Sequence, residues 1–317
     1  MKRFSNILFV AESHVDDPVV FNQAITLASN NQAQITVVGV VDSLDVPKAS
    51  AHTASDLLDA MIRQRQEQLE TLVLSGSESA PKMETKILVG KPFIEIIREV
   101  IGHQRDLVIK SVGNIEDMRQ QLFSSTDKKL LRKCPCPVWL IKSTEQQGYR
   151  EILVGLDYEP ENPENEALNL QILEMASSLA LSESSQLHVV HAWYFPHESF
   201  LRSPRVGNTE AEVGAMVEEE ESKRRRWLSN IVEKGCAAQG REAASYLDPQ
   251  LHLAKGNAQI VVPQLAKELG AKLVVMGTVG RTGIPGYIMG NTAETILSRV
   301  DCSVLTVKPR GFISPVT

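Results

Sequence analysis

Leu273-Val274-Val275-Met276-Gly277-Thr278-Val279-Gly280, then nine further residues, then Gly290-Asn291-Thr292: the reading of this chain turns on that stretch. An apolar run ends in glycines, and a helix-like segment from Ala293 to Val300 follows. The order predicts a strand, a glycine-rich loop and a helix start. Glycines let backbone N–H groups approach a phosphate with no Cβ in the way. The helix N-terminus adds unsatisfied donors and a favourable dipole. The spacing is not that of the dinucleotide fingerprint, nor of the Walker loop with its Gly-Lys-Ser/Thr ending.

The stretch has a twin. Leu107 through Lys142 aligns without a gap to Leu273 through Lys308, 36 residues at a constant offset of 166. Gly277 then pairs with Ser111, Gly280 with Asn114, Gly290 with Ser124 and Asn291 with Ser125. Gly90 and Gly256 obey the same offset, and Asn6–Glu12 resembles Glu151–Asp157. The chain is an internal duplication in which only the second copy keeps the glycines. We place the two domains at residues 1–143 and 149–312, joined around Ser143–Gly148; a chain of 317 residues suits two domains of common size.

Apolar runs alternate with helical patterns in each half. Strands are expected near Asn6–Ala11, Ile35–Val41, Met83–Val89, Leu107–Lys110 and Val138–Lys142. The second half repeats them near Glu151–Leu156, Leu187–Ala192, Tyr246–Ala254, Lys272–Met276 and Val304–Lys308. Such unbroken runs joined by helices imply α/β domains, each a five-stranded, mainly parallel sheet covered on both faces. Ligands of such doubly wound sheets sit at the carboxyl ends of strands, at the switch point. Asp157 leaves the first strand of the second half there, and Gly277 leaves the fourth. The Asp157 carboxylate can accept hydrogen bonds from ribose or adenine, or it can cap the next helix or shape the turn before Pro160. Arg281 stands where it can screen phosphate charge, or is an ordinary surface arginine. Ile284–Met289 either closes the loop over the core or walls a ligand cavity.

A net charge of −6 argues against nucleic acid. The one basic run, Lys223–Arg226, follows Glu218–Glu221 directly, a pattern that braces a solvated helix through i,i+4 pairs. No apolar run approaches the ~20 residues that span a bilayer, and the start of the chain reads as a strand, so a cytoplasmic protein is expected. Cys134-Pro135-Cys136 has the wrong gap for a common zinc knuckle, which favours packing. His188 and His191, three apart on one strand, face opposite ways, so no metal site is expected from that pair. Trp193-Tyr194-Phe195 and Phe200-Leu201 lie in an insertion of the second half. They form either a satellite core or an apolar entrance to a ligand site.

The glycine stretch resembles the G-x2-G-x9-G-(S/T) loop of the universal stress protein family, which binds ATP. Asn291 departs from the family's Ser or Thr, and Thr292 brings a hydroxyl one residue later. The resemblance covers nearly the whole chain, as two tandem domains of the adenine nucleotide α-hydrolase-like fold. It implies that ATP, with or without Mg²⁺, is held by Asp157, Gly277, Gly280, Arg281, Gly290, Asn291 and Thr292, with the backbone of Ala192 facing the adenine. No permanent prosthetic group follows from it. It also implies that the last strands, Val138–Lys142 and Val304–Lys308, pair antiparallel inside one chain, leaving room for a further homo-oligomer. The function implied is a stress-response sensor or adaptor. Efficient catalysis is not expected, because no P-loop lysine, Walker-B context or kinase set is present. The alternatives are a slow ATPase and a binder of a nucleotide-linked or apolar metabolite.

Overall fold

The computed structural model describes residues 4–12, 18–42, 51–76, 83–112, 123–142, 148–278 and 289–317. It divides into two compact units, Met1–Gly148 with Thr278–Thr317, and Tyr149–Gly277. The elements of the first repeat are β1 (Asn6–Ala11), α1 (Pro18–Asn31), β2 (Gln34–Val41), α2 (Ala51–Leu74), β3 (Met83–Val89), α3 (Pro92–Gly102), β4 (Leu107–Val112), α4 (Ser125–Lys133) and β5 (Val138–Lys142). The second repeat begins with β6 (Glu151–Gly155), α5 (Pro163–Glu183), β7 (Gln186–Trp193), α6 (Glu198–Leu201), α7 (Glu210–Ala237) and α8 (Arg241–Leu247). It ends with β8 (Gln250–Lys255), α9 (Ala258–Leu269), β9 (Leu273–Gly277), α10 (Asn291–Arg299) and β10 (Ser303–Val307).

In the first unit the strand order is β3-β2-β1-β4-β5-β10. The first five strands are mutually parallel, and β10 runs antiparallel to β5, with Val304 opposite Leu140 and Thr306 opposite Val138. That pairing places α10 and β10, which belong to the second repeat by sequence, in the first unit. In the second unit the order is β9-β6-β7-β8, all parallel. Each repeat thus supplies five strands, and the winding reverses between β1 and β4, and again between β6 and β9. Those are the switch points at which a ligand is expected. The central strands are buried on both faces: Ile7, Leu8, Leu107, Val108 and Ile109 in one unit, Ile152, Val154, Leu273 and Val275 in the other. This is the reason their sequences run apolar without alternation.

Local signals set the helix starts. Pro163 opens α5 behind Asn162, whose side chain accepts from the N–H groups of Glu164 and Asn165. Thr209 and Glu212 form a capping box on α7. The expected strand Tyr246–Ala254 needs correction. Its first residues belong to α8, which the helix formers Glu242, Ala243 and Ala244 favour. Asp248, at φ 35°, turns the chain before β8 begins at Gln250.

The insertion packs as a satellite core. Trp193 lies buried with Val213 and Val217, and Phe195 and Leu201 close over them. Tyr194 and Phe200 stay exposed. All four cysteines are buried thiols. Among the described residues no helix is long and apolar enough to cross a membrane.

Candidate functional site

In the second unit the structure brings three of the expected residues to one end of the sheet. Gly155 is opposite both Met276 on β9 and Val190 on β7. Asp157, Gly277 and Ala192 therefore emerge from the carboxyl ends of three neighbouring strands. Asp157 is exposed. The Asn169 side chain grips its backbone, donating to the Asp157 carbonyl at 2.7 Å and accepting from its N–H at 3.3 Å. The Asp157 carboxylate accepts from the N–H of Tyr158 at 3.0 Å. It does not cap α5, since Asn162 holds that place. Glycine at 277 has a packing reason as well as a chemical one, because a Cβ there would lie 3.1 Å from Leu168 Cδ2 on α5.

Gly290, Asn291 and Thr292 belong to the first unit, at the start of α10. Gly290 is the N-cap, with φ −60° and ψ 136°, and gives the helix no side-chain hydrogen bond. Its N–H donates to Thr278 O at 3.1 Å, and Asn291 and Thr292 are exposed. Gly280 and Arg281 lie outside the described residues, as does all of the Ile284–Met289 segment except the buried Met289.

The equivalent joint of the first repeat is built differently. Ser124, in place of Gly290, caps α4 in a capping box: its hydroxyl accepts from Asp127 N–H at 3.1 Å, and the Asp127 carboxylate accepts from Ser124 N–H at 2.7 Å. Asp127 stands where the second repeat has Ala293. Lys110, in place of Met276, is buried and extends its ammonium to Asp127 at 2.8 Å and Glu12 at 2.6 Å. Glu12 is the counterpart of Asp157. The first repeat therefore satisfies this helix start and these charges with its own side chains.

The sequence gives no sign of what His191 touches. Its Nδ1 lies 3.1 Å from Leu156 O, and its Nε2 lies 3.0 Å from Arg224 Nη1. A carbonyl only accepts and a guanidinium only donates, so the ring is neutral with its proton on Nδ1. Arg224 also donates to Glu220 at 2.7 Å and lies 4.9 Å from the Tyr158 ring centroid. The acidic and basic runs of α7 do pair at i,i+4, as Glu220–Arg224 and Glu221–Arg225. A cleft of about 350 Å³ opens between the loop after β6 and α7, lined by Tyr158, Glu159, Lys223, Arg226, Trp227 and Lys234 among others. Neither Ala192 nor Gly277 lines it. It lies beside the carboxyl end of β6 and outside the glycine stretch.

A family model described as the universal stress protein family matches residues 3–142 and 148–308. The chain is 26% identical over its full length to "Universal stress protein E" of Photorhabdus laumondii, covering 98% of that protein. It is 27% identical to the protein of the same name from Escherichia coli K12, again across the full chain and 98% of the relative. Among solved structures, a universal stress protein from Archaeoglobus fulgidus aligns over 95% of this chain and 98% of its own, at 15% identity and a TM-score of 0.62. A Pseudomonas aeruginosa PAO1 protein of unknown function aligns over 97% of this chain and 94% of its own, at 24% identity and a TM-score of 0.67. Both likenesses speak to the fold.

Proposed function

The chain belongs to the universal stress protein family, and on that footing we propose that it is a cytoplasmic stress-response protein whose second repeat binds ATP or a related adenine nucleotide. The residues proposed to hold the ligand are Asp157, the backbone of Ala192, Gly277, Gly280, Arg281, Gly290, Asn291 and Thr292. One observation carries the reading: α10 begins at a glycine with no side-chain cap, whereas its twin α4 begins in a closed capping box beside a buried lysine. An uncapped N-terminus presents N–H donors and the positive end of the dipole to an anion. Asp157, with its backbone fixed by Asn169, offers a carboxylate to ribose hydroxyls or the adenine amine.

The protein acts in this reading as a sensor or adaptor, and at most as a slow ATPase. Phosphoryl transfer needs, besides a bound metal ion, a group that orients the nucleophile and one that stabilises the transferring charge. The alternative of an apolar ligand asks for a tunnel beside Trp193–Phe195, and the rings of Trp193 and Phe195 instead pack with Val213 and Val217. Mass spectrometry of the small molecules released on denaturing freshly purified protein tests the proposal. About one ATP or ADP per chain supports it; a lipid or another metabolite in its place overturns it.

A further inference from the structure

A cross-strand cluster stands near the amino end of β6, away from the glycine stretch. Glu151, His188 and His252 lie on the consecutive strands β6, β7 and β8. Glu151 is opposite Gln186, and His252 is opposite Val190. Gln186, His188 and Val190 alternate on one face of β7, so all three side chains share that face and step diagonally across it. The contacts follow: His188 Nε2 lies 2.7 Å from Glu151 Oε2, and His188 Nδ1 lies 3.0 Å from His252 Nε2.

The chemistry of the donors fixes the protons. The ionised Glu151 carboxylate only accepts, so Nε2 of His188 carries its proton and Nδ1 is left with a bare lone pair. That lone pair points at His252 Nε2. The two rings thus meet through a pair of nitrogens 3.0 Å apart.

We propose that His188 Nδ1 and His252 Nε2 form a chelating site for a divalent late first-row metal ion, Cu(II) or Zn(II), with Glu151 orienting the His188 ring. Metal–nitrogen bonds of about 2.0–2.1 Å at square-planar or tetrahedral angles put two ligand nitrogens about 2.8–3.4 Å apart. The observed 3.0 Å falls inside that range. A carboxylate that accepts the second N–H of a ligating histidine is the usual support of such sites, and it raises ligand basicity. On binding, His252 changes tautomer, giving up the proton on Nε2 and taking one up on its own Nδ1, so that both ligand nitrogens offer lone pairs. Among the described residues no group of three or more His, Cys, Asp or Glu side chains is arranged to hold a metal. The site therefore supplies two protein ligands and leaves the other coordination positions to water or an exogenous ligand.

Titration of the full-length chain with Cu(II), read by electron paramagnetic resonance and calorimetry, tests this. One equivalent with two equatorial nitrogens is expected, together with a loss of at least tenfold in affinity in His252→Gln. His252 is half-buried on a strand with only one neighbour, so that variant keeps the fold where His188→Gln could lose it. Glu151→Gln should weaken binding about tenfold with both nitrogens still bound. Zn(II) should raise the melting temperature of the wild type but not of His252→Gln. Binding of equal strength in the wild type and His252→Gln would mean adventitious ions only and would overturn the proposal. So would a wild type that takes up no ordered equivalent.

Discussion

The joint from β4 to α4 and the joint from β9 to α10 started as copies of one sequence, and they now solve the same physical problem in opposite ways. A helix start leaves N–H groups that need acceptors. The first repeat answers from within: Ser124 and Asp127 cap α4, and the buried Lys110 neutralises Asp127 and Glu12. The second repeat removes each of those parts, with Gly290 for Ser124, Ala293 for Asp127 and Met276 for Lys110. What remains is a glycine cap without a side chain and an exposed Asp157. Loss of self-satisfaction in one copy is what makes it a binding-site candidate.

The comparison breaks first at Lys110. Lys110→Met gives the first repeat the residue of the second but leaves Asp127 buried without its cation. We expect a loss of about 3–5 kcal/mol, the usual cost of removing one partner of a buried ion pair, read from urea midpoints. Adding Asp127→Ala, which completes the second repeat's pattern, should recover part of that loss. A double variant as unstable as the single one would show that the cluster does not act as a unit.

The reverse transplant is next in size. Gly290→Ser with Ala293→Asp should rebuild the capping box on α10. The new carboxylate competes for the N–H donors and repels phosphate, so ATP affinity should fall about 100-fold, equivalent to about 2.7 kcal/mol, while the melting temperature holds or rises. Unchanged affinity in calorimetry would remove α10 from the site.

A third contrast separates Lys142 from Lys308, which hold the same repeat position. Lys142 reaches the exposed Asp301 at 2.5 Å. Lys308 is buried, donates to Leu131 O at 2.7 Å and to Thr278 Oγ1, and lies under the Phe312 ring. Burial lowers its pKa to about 7, against about 10.4 in an unfolded chain. Between those values the unfolded state binds more protons, so stability should rise with pH by about 1 kcal/mol per unit. Below pH 7 the contribution is flat. Urea midpoints of the wild type and Lys308→Met compared from pH 7 to 9 check the sign; parallel curves would contradict it. The smallest effect belongs to Asp301→Ala, where an exposed partner makes the Lys142 pair worth about 0–1 kcal/mol, less at high salt.

Much of the fold was legible because apolar runs bounded by glycine and polar residues leave few alternatives. β1, β3 and β5 fall on the expected residues. Tyr246 misled because its strand preference was weighed above the helix formers before it. The joint at Gly277 was legible through its twin. The Lys110 cluster left a signal: a lysine inside Leu107–Val112 is buried only with a partner, and Asp127 follows three residues after Ser124, the counterpart of Gly290, while Glu12 is the counterpart of Asp157. The Arg224–His191 contact and the His188–His252 pair left none. They join residues 33 and 64 positions apart on different elements: the placement of α7 brings Arg224 to His191, and the β7–β8 register brings the two histidines together. His188 and His191 indeed face opposite ways, so a search along one strand could not find the cross-strand neighbour.

The central claim is that one repeat binds nucleotide and the other satisfies itself. Equilibrium dialysis of the full-length protein against saturating ATP tests it most directly. The account predicts one bound nucleotide per chain, lost in Gly290→Ser/Ala293→Asp. Two nucleotides per chain, or none, would contradict it.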